Sequence, residues 1–390
     1  SNGLEKRPKL RFPGFDEPWK AALLSDYFAK NIKKNADGAI TNVICNSAKQ
    51  GLIPQRDYFD KDIANSDNTD GYYIIETNDF VYNPRKSTDA PYGPISSYKY
   101  PEAGIVSPLY LCFRAKQEIN PLYFEWYFRS SAWHRYIYMS GDSGARHDRV
   151  SIKDDTFFAM PINIPSAKEQ DRIALFLNAI EQKIDKQRSL VDALKKYKRG
   201  LVKALISGTV AFAGSENKHW ETVSLAEIFT ISAGGDIDRQ NSSPTYSTSY
   251  PYPVYANALT NNGLYGYANY FKVEGDSITV SGRGEVGHAI ARHCKYVPIV
   301  RLLSLVPKYE DDVDFFAHII NATSIYIEST GVPQLTSPQL GAVKVLRPPI
   351  WEQKRISSLL LKIDVKIENE EHLTLYLAKI RSSMLQQLFI

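Results

Sequence analysis

The chain has 390 residues, of which 43% are hydrophobic and 23% charged, proportions typical of a globular protein with room for two domains. It shows no signal peptide and no apolar run near the ~18 residues of a membrane span, so we expect a soluble, cytoplasmic protein without a membrane partner. Cys45, Cys112 and Cys294 lie far apart, which excludes a disulfide framework and a CxxC zinc site. The net charge of +4 does not by itself predict a nucleic-acid partner.

The first predicted domain covers residues 1–164. It is rich in Tyr, Asn, Ser, Pro and Gly and contains short β-like runs at 72–76 and 105–113. This pattern predicts a mixed α/β domain whose irregular loops carry polar and aromatic side chains. Loops of this composition commonly bind a ligand.

The segment 165–208 is predicted to be one long helix. Pro165 stands at its entry and Gly208 at its end, positions that these residues prefer. Apolar side chains recur at steps of four and three, the a/d pattern of a coiled coil, and about 40 residues at ~1.5 Å each give a length of roughly 60 Å. The seam residues are Ile173, Leu177, Ile180, Ile184, Gln187, Val191, Leu194, Lys198, Leu201 and Leu205.

The second predicted domain covers residues 209–347 and resembles the first in composition, with β-like runs at 277–281 and 299–306. Gly282, Gly284 and Gly287 match the GxGxxG pattern of dinucleotide-binding loops, which is a weak signal by itself. A dinucleotide site needs a helix directly after the loop, whereas another β-like run follows here. We therefore predict a tight loop between two strands.

The last segment, 348–390, repeats the first helix. Residues 169–173 (EQDRI) match 352–356 (EQKRI), and the offset of 183 residues continues without a gap to the end of the chain. The domain starts match as well, with Trp19, Leu24 and Phe28 opposite Trp220, Leu225 and Phe229 at an offset of 201. The chain is therefore predicted to be an α/β (α+β) protein in which two mixed domains alternate with two long helices, as a pseudo-two-fold repeat.

Each helical seam needs a partner, and the other copy supplies one, although two ordinary core helices would also explain the pattern. An antiparallel coiled coil is predicted, because a whole domain separates the two helices. The polar seam positions Gln187, Lys198, Glu370 and Arg381 should then fix the register. We expect Lys198 to face Glu370, and Gln187 to face Arg381.

No catalytic constellation is predicted. Glu352 and Lys354 resemble the end of a nuclease motif, but they lack a preceding Asp and lie where a helix begins. Asn83 and Asn120 each precede a proline, yet without the aromatic residue of a base-methyltransferase motif. The remaining metal-ligand types match no zinc spacing; they are His134, His147, His288, His293 and Cys294. We therefore predict a protein with no catalytic residue, metal or cofactor of its own.

The sequence resembles the specificity subunits of Type I restriction-modification systems. The opening 10–15 (LRFPGF) followed by Trp19 is similar to the start of that family, and the two helix entries resemble its conserved segments. Residues 51–59 and 82–85 resemble one class of target-recognition domain, and 252–257 and 281–287 resemble another. The resemblance covers essentially the whole chain.

The resemblance implies a sequence-specific subunit that binds a bipartite stretch of double-stranded DNA, one half-site per target-recognition domain, with a spacer set by the helices. Because the two domains resemble different classes, the target should be asymmetric. Such subunits carry no chemistry themselves. They bind two methyltransferase subunits, which use S-adenosylmethionine to methylate adenine, and restriction subunits, which use ATP and Mg²⁺. A stand-alone bipartite DNA-binding protein and a coiled-coil scaffold for proteins or sugars remain alternatives.

Side chains expected to contact DNA follow from chemistry: Arg for guanine, Asn and Gln for adenine, and Lys, Arg and Tyr for phosphates. The candidates of the first domain are Gln55, Arg56, Tyr58, Asn83, Arg85 and Lys86, with Arg146, His147 and Arg149 as a second cluster. The candidates of the second domain are Asn257, Asn261, Asn262, Tyr265, Arg283 and Arg292.

Overall fold

A computed structural model describes residues 7–58, 69–141, 148–207, 220–258, 260–323 and 334–390, except for the side chain of Tyr58. The chain divides into two compact units, residues 1–186 with 374–390, and residues 187–373. Each unit therefore includes part of each long helix. The predicted division into four segments at 164, 208 and 347 stays a prediction.

The first unit contains three sheets and short helices around the start of a long helix. Its strands are β1 (Lys20–Leu23), β2 (Phe28–Lys30), β3 (Val43–Ser47), β4 (Gly51–Pro54), β5 (Tyr73–Ile75), β6 (Phe80–Tyr82), β7 (Ile95–Ser97), β8 (Gly104–Val106), β9 (Leu111–Ala115) and β10 (Pro161–Ile164). Its helices are α1 (Leu24–Tyr27), α2 (Gln55–Tyr58), α3 (Pro121–Arg129), α4 (His134–Ser140) and α5 (Asp154–Phe158), followed by the long α6 (Ala167–Ile206). The sheet orders are β1-β10, β2-β9-β6-β7 and β4-β3-β8-β5.

The second unit has the same plan. Its strands are β11 (Glu221–Ser224), β12 (Phe229–Ala233), β13 (Ser242–Ser243), β14 (Tyr252–Tyr255), β15 (Leu264–Ala268), β16 (Ser277–Ser281), β17 (Ala289–Arg292), β18 (Val297–Pro298), β19 (Leu302–Pro307) and β20 (Lys344–Arg347). Its helices are α7 (Leu225–Ile228), α8 (Val313–Ala322), α9 (Ser337–Gly341) and the long α10 (Ile350–Leu388). The sheet orders are β11-β20, β12-β19-β16-β17 and β13-β15-β14-β18.

The repeat extends through the domains at the level of strand register. In the central sheets, Phe80 pairs with Phe113 as Ile278 pairs with Leu305. The helices that follow β9 and β19, α3 and α8, each begin at a side-chain cap. The side chain of Asn120 accepts the N–H of Tyr123, and that of Asp312 accepts the N–H of Phe315. Two further pairs match in the same way. Phe28 pairs with Ala115 as Phe229 pairs with Pro307, and Lys20 pairs with Ile164 as Glu221 pairs with Arg347. The predicted pseudo-two-fold repeat is confirmed.

Equivalent positions in the two cores carry different kinds of side chain. The first core is aromatic: Phe28 packs edge-on against Phe80, Phe113 and Phe124, at centroid distances of 5.4, 5.3 and 5.0 Å. The second core is mostly aliphatic, with Ile, Val and Leu in the matching central strands. The same topology is therefore filled in two ways, which explains why the repeat is faint between residues 29 and 164 of the sequence.

Most predicted strands are present, but the run 105–113 contains two strands instead of one. β8 and β9 are separated by a turn in which the N–H of Tyr110 donates to the carbonyl of Ser107 (3.0 Å). Pro108 lies in this turn and has no N–H to donate, so a continuous ladder cannot form there. The run 277–281 is β16, as predicted.

The two long helices pair antiparallel in each unit. In the second unit, Leu205 near the end of α6 shares a core with Ile356 near the start of α10, while Gln187 bonds Glu370 further along. In the first unit, the start of α6 shares a core with the end of α10. The two helices are 40 and 39 residues long. Because the end of each lies beside the start of the other, the predicted antiparallel helix pair is confirmed.

The predicted pairing of polar seam residues is wrong in detail. Lys198 bonds Asp364 at 2.6 Å and not Glu370, which instead accepts from Gln187. In the first unit, Arg381 pairs with Glu181. The prediction required Lys198 and Arg381 to pair with polar residues of the seam, as Gln187 and Glu370 do with each other. Long basic side chains reach instead to acidic residues beside the seam, where water still solvates both partners.

No helix in the described parts of the chain combines the length and the apolar character needed to cross a membrane.

Candidate nucleic-acid interface

The first candidate surface is built around the turn after β6. The Asn83 amide donates to the carbonyl of Asn46 (3.2 Å), and its oxygen accepts the N–H of Arg85 (3.1 Å). Both ends of this amide are therefore occupied by the turn. Asn83 shapes the loop that carries the exposed side chains of Arg85 and Lys86.

A second segment, 148–150, lies against this turn. Val150 donates its N–H to the carbonyl of Pro84 (2.9 Å), and Lys86 donates to that of Asp148 (2.8 Å). The structure thereby brings Arg149 beside Arg85, although the sequence predicts them in separate clusters. Arg146 and His147 lie outside the described residues.

The turn after β6 and Arg149 line a cleft of about 500 Å³ in the first domain. Its basic side chains are Arg85, Lys86 and Arg149, and Asp148 lies 3.8 Å from the guanidinium of Arg149. Tyr110, which no sequence pattern singles out, also lines the cleft, and burial raises the pKa of its hydroxyl. A cleft with a basic rim can bind an anionic group such as a phosphate.

Gln55 and Arg56 lie elsewhere in the first domain. They form the first turn of α2, directly after β4, with Arg56 exposed. Neither lines the cleft, so the structure does not join them to Arg85 and Arg149. Tyr58 ends the same helix, and its side chain lies outside the described atoms.

The corresponding turn of the second domain follows β16 and is held by one amide. Asn257 accepts the N–H groups of Gly282 (2.7 Å) and Arg283 (3.3 Å) and donates to the carbonyl of Arg283. Gly282 is required here, because a Cβ would lie 2.4 Å from the carbonyl oxygen of Arg301. Like Asn83, Asn257 shapes the loop and presents the arginine beside it.

The side chain of Arg283 is exposed, and its guanidinium is held by Gln334, a residue that sequence reasoning did not identify. Its Nε and Nη2 both donate to Oε1 of Gln334, at 3.2 and 3.0 Å. Gln334 directly precedes Leu335, whose N–H donates to the carbonyl of Gly282 (2.9 Å). Only the fold brings residues 282–283 and 334–335 together, so no local signal could have found this contact.

Arg292 is buried, with 7% of its surface exposed, and its donors are used inside the domain. Nε donates to Thr279 (3.0 Å), Nη2 donates to the carbonyl of Asn262 (2.7 Å), and the guanidinium lies 3.7 Å from the ring centre of Tyr255. Burial lowers the pKa of Arg292. The structure gives this residue a supporting role, and the DNA contact predicted for it is untested.

Arg292 supports a tight loop that exposes two other candidates, and a third lies on β15, the strand that follows. Asn261 and Asn262 adopt left-handed backbone conformations, with φ of 50° and 51°, which asparagine tolerates better than most residues. Their side chains and that of Tyr265 are exposed. These three groups are therefore placed to meet a ligand.

Arg85 and Arg283 occupy equivalent positions. Tyr82 pairs with Leu111 in the first domain as Val280 pairs with Leu303 in the second. Arg85 lies three residues after Tyr82, and Arg283 lies three residues after Val280. In both domains the preceding residue, Pro84 or Gly282, accepts an N–H from the segment before a short helix. The sequence does not reveal this match, because insertions shift the local offset away from 201 and 183.

The residues that resemble catalytic motifs have structural roles. The loop 282–287 joins the antiparallel strands β16 and β17, so the predicted tight loop is confirmed. At the helix entries, Glu169 accepts two bonds from Arg11 (2.7 and 2.8 Å) and Glu352 accepts from Trp220 (2.9 Å). These buried carboxylates tie each domain start to a helix start. Within the described ranges, no group of His, Cys, Asp or Glu could hold a metal ion.

Comparison with known proteins identifies the second half of the chain. Residues 217–377 match the family model described as "Type I restriction modification DNA specificity domain". The match is to the DNA specificity domain of that family and covers this segment of the chain. The resemblance to Type I specificity subunits that the sequence indicated is thereby confirmed.

Two proteins of Mycoplasma pneumoniae, both named as type I specificity subunits, support this family. One is 26% identical over 200 residues, 51% of this chain and 54% of its own length. The other is 31% identical over 145 residues, 37% of this chain and 42% of its own length. The chain thus spans about half the length of the curated relatives it matches.

Solved structures show the same fold over nearly the whole chain. The S subunit of the type I restriction-modification system of M. genitalium superposes with a TM-score of 0.60 at 15% identity, covering 98% of this chain and 99% of that one. A chain from a structural study of complex assembly and conformational transition of the type I system gives a TM-score of 0.61 at 15% identity, covering 97% and 99%. At this identity the likeness concerns the fold alone.

Proposed function

We propose that this chain is the sequence-specific DNA-binding subunit of a Type I restriction-modification enzyme and recognises an asymmetric bipartite target, one half-site per domain. The observation that carries the proposal is the duplicated arginine: Arg85 and Arg283 leave equivalent turns of two domains with one topology. A single duplex contacted by both domains would then be recognised at two separate places.

The chemistry of the two turns suits base contacts. An arginine that follows a rigid turn can donate two hydrogen bonds to O6 and N7 of guanine in the major groove. In the first domain Lys86 and Arg149 stand beside it and can neutralise phosphates, whereas the neighbours in the second domain are the neutral side chains of Asn257 and Gln334. Because these surroundings differ, the two half-sites should differ as well.

Methylation and cleavage are assigned to partner subunits. The relatives are named as specificity subunits, and one neighbour comes from work on the assembly of the type I complex. The long helices expose apolar side chains that a partner could cover, among them Leu361, Val365, Leu375 and Tyr376. We propose two methyltransferase subunits and restriction subunits as these partners; S-adenosylmethionine, ATP and Mg²⁺ would then bind to the partners.

The test is selection from a random duplex library with the full-length chain, alone and with co-expressed methyltransferase subunits. We expect two short conserved blocks separated by a fixed spacer, and methylated adenines within them only when the partners are present. The same motif without methylated adenines when the methyltransferase subunits are present would favour a stand-alone binding protein. A library without any enriched motif in either case would overturn the proposal.

A further inference from the structure

Arg283 is fixed at both its backbone and its side chain. Asn257 holds the backbone through the N–H and the carbonyl of Arg283. Gln334 holds the guanidinium through one oxygen that accepts from both Nε (3.2 Å) and Nη2 (3.0 Å). Two donors that converge on one acceptor fix which edge of the guanidinium faces Gln334.

This arrangement leaves a particular edge of the guanidinium free. Of its five N–H donors, Gln334 uses the one on Nε and one on Nη2. The donors that remain include one on Nη1 and one on Nη2 that point in parallel from the end of the side chain. Two parallel donors at this spacing match O6 and N7 of guanine, the most common specific contact of arginine with DNA.

The neutral partner also preserves the charge of Arg283. Other ordered arginines pair with carboxylates, as Arg114 does with Asp79 (2.6 Å) and Arg347 with Asp311 (2.9 Å). No carboxylate in the described ranges forms an ion pair with Arg283, whose bonded partner is the Gln334 amide. Arg283 is thus held in place while its positive charge stays available to a ligand.

We propose that Gln334 is a positioning residue that sets the specificity of Arg283, so that the Nη1–Nη2 edge meets one guanine in the half-site of the second domain. The proposal rests on the proposed function. Its physical basis is preorganisation, since an arginine that is already oriented loses less side-chain freedom when it binds. A differently oriented guanidinium would still attract phosphate but would discriminate less between bases.

The test compares four single variants and one double variant of the chain in quantitative binding to duplexes that differ at one base pair. Arg283→Ala first identifies the base pair whose preference for G·C it removes. Gln334→Ala should then reduce that same preference about tenfold, equivalent to about 1.4 kcal/mol, without changing the salt dependence of binding. Gln334→Glu keeps the acceptor oxygen and should retain the preference, although its added negative charge weakens binding to all duplexes. Gln240→Ala removes an exposed glutamine of the same domain and serves as the matched control.

The outcomes separate this proposal from the proposed function. If the wild-type chain has no sequence preference, the proposed function fails. If it has one and Gln334→Ala leaves the G·C preference of Arg283 intact, or weakens every duplex equally, the positioning role is wrong. A changed preference at a different base pair would make Gln334 a base contact itself and would likewise overturn the positioning role. In the double variant, Gln334→Ala should cause no further loss beyond Arg283→Ala.

Discussion

At the scale of single residues, three side chains that the sequence predicts to contact DNA are held by contacts within their own domains. Asn83 and Asn257 are predicted base contacts, yet both use their amides to shape a turn. Arg292 is predicted by the same reasoning and is buried. Composition indicates where polar side chains gather, but whether a donor faces solvent or a carbonyl depends on packing between distant segments, as Gln334 shows.

Arg85 should specify bases in the half-site of the first domain only. Because it is equivalent to Arg283 and lines the basic cleft, Arg85→Ala should lose about 1–3 kcal/mol of discrimination at one base pair there. The measurement is binding to duplexes with single substitutions in each half-site. Arg239→Ala, an exposed arginine of the second domain, is the control. Equal losses on every duplex after Arg85→Ala would make Arg85 a phosphate contact.

His293 should make the stability of the second domain depend on pH. Its Nδ1 lies 2.8 Å from Asp276 and its Nε2 3.1 Å from Asp314. Partial burial opposes protonation, but the hydrogen bonds with both carboxylates outweigh it, so the pKa of His293 is raised. The stabilisation is therefore complete below the ordinary histidine pKa of about 6.5 and is lost as the pH rises through the raised value.

The measurement for His293 is the free energy of unfolding of the wild type and of His293→Gln across this pH range. We expect the free energy of unfolding of the wild type to exceed that of the variant at low pH, and this difference to shrink as the pH increases. High salt should reduce the difference, because the imidazole is about half exposed. A difference that grows with pH would show that the native state prefers the neutral ring.

At the scale of elements, the periodic segments were predictable and the domain interiors only in part. The a/d pattern gave both long helices, because a seam repeats the same signal many times. Strand registers could not be derived, since the equivalent strands β6 and β16 fill their cores with aromatic and aliphatic residues respectively. The polar seam positions were identified, but the acidic partners of Lys198 and Arg381 lie beside the seam, where a heptad pattern carries no information.

Lys198 should be coupled energetically to Asp364 and not to Glu370. The Lys198–Asp364 contact is partly exposed, with 22% and 38% of the side chains accessible, so its coupling should be modest, about 0.2–1 kcal/mol. Double-mutant cycles for Lys198→Ala with Asp364→Ala and with Glu370→Ala, followed by urea unfolding, give both values. A larger coupling with Glu370 would restore the register predicted from the sequence.

At the scale of the whole molecule, the duplication supports the proposed function better than any one motif does. The helix entries and domain starts made the repeat visible in the sequence, and the matched strand registers extend it through both domains. Two domains of one topology with different side chains around an equivalent arginine can recognise different bases. Recognition by each domain should therefore be separable.

The most direct test of separate recognition is exchange of residues 209–347 for the corresponding segment of another family member with a different target, followed by selection from a random duplex library. We predict that one half-site changes to that of the donor protein while the other half-site is retained. A motif that changes in both halves, or in neither, would contradict the claim that each domain recognises its own half-site.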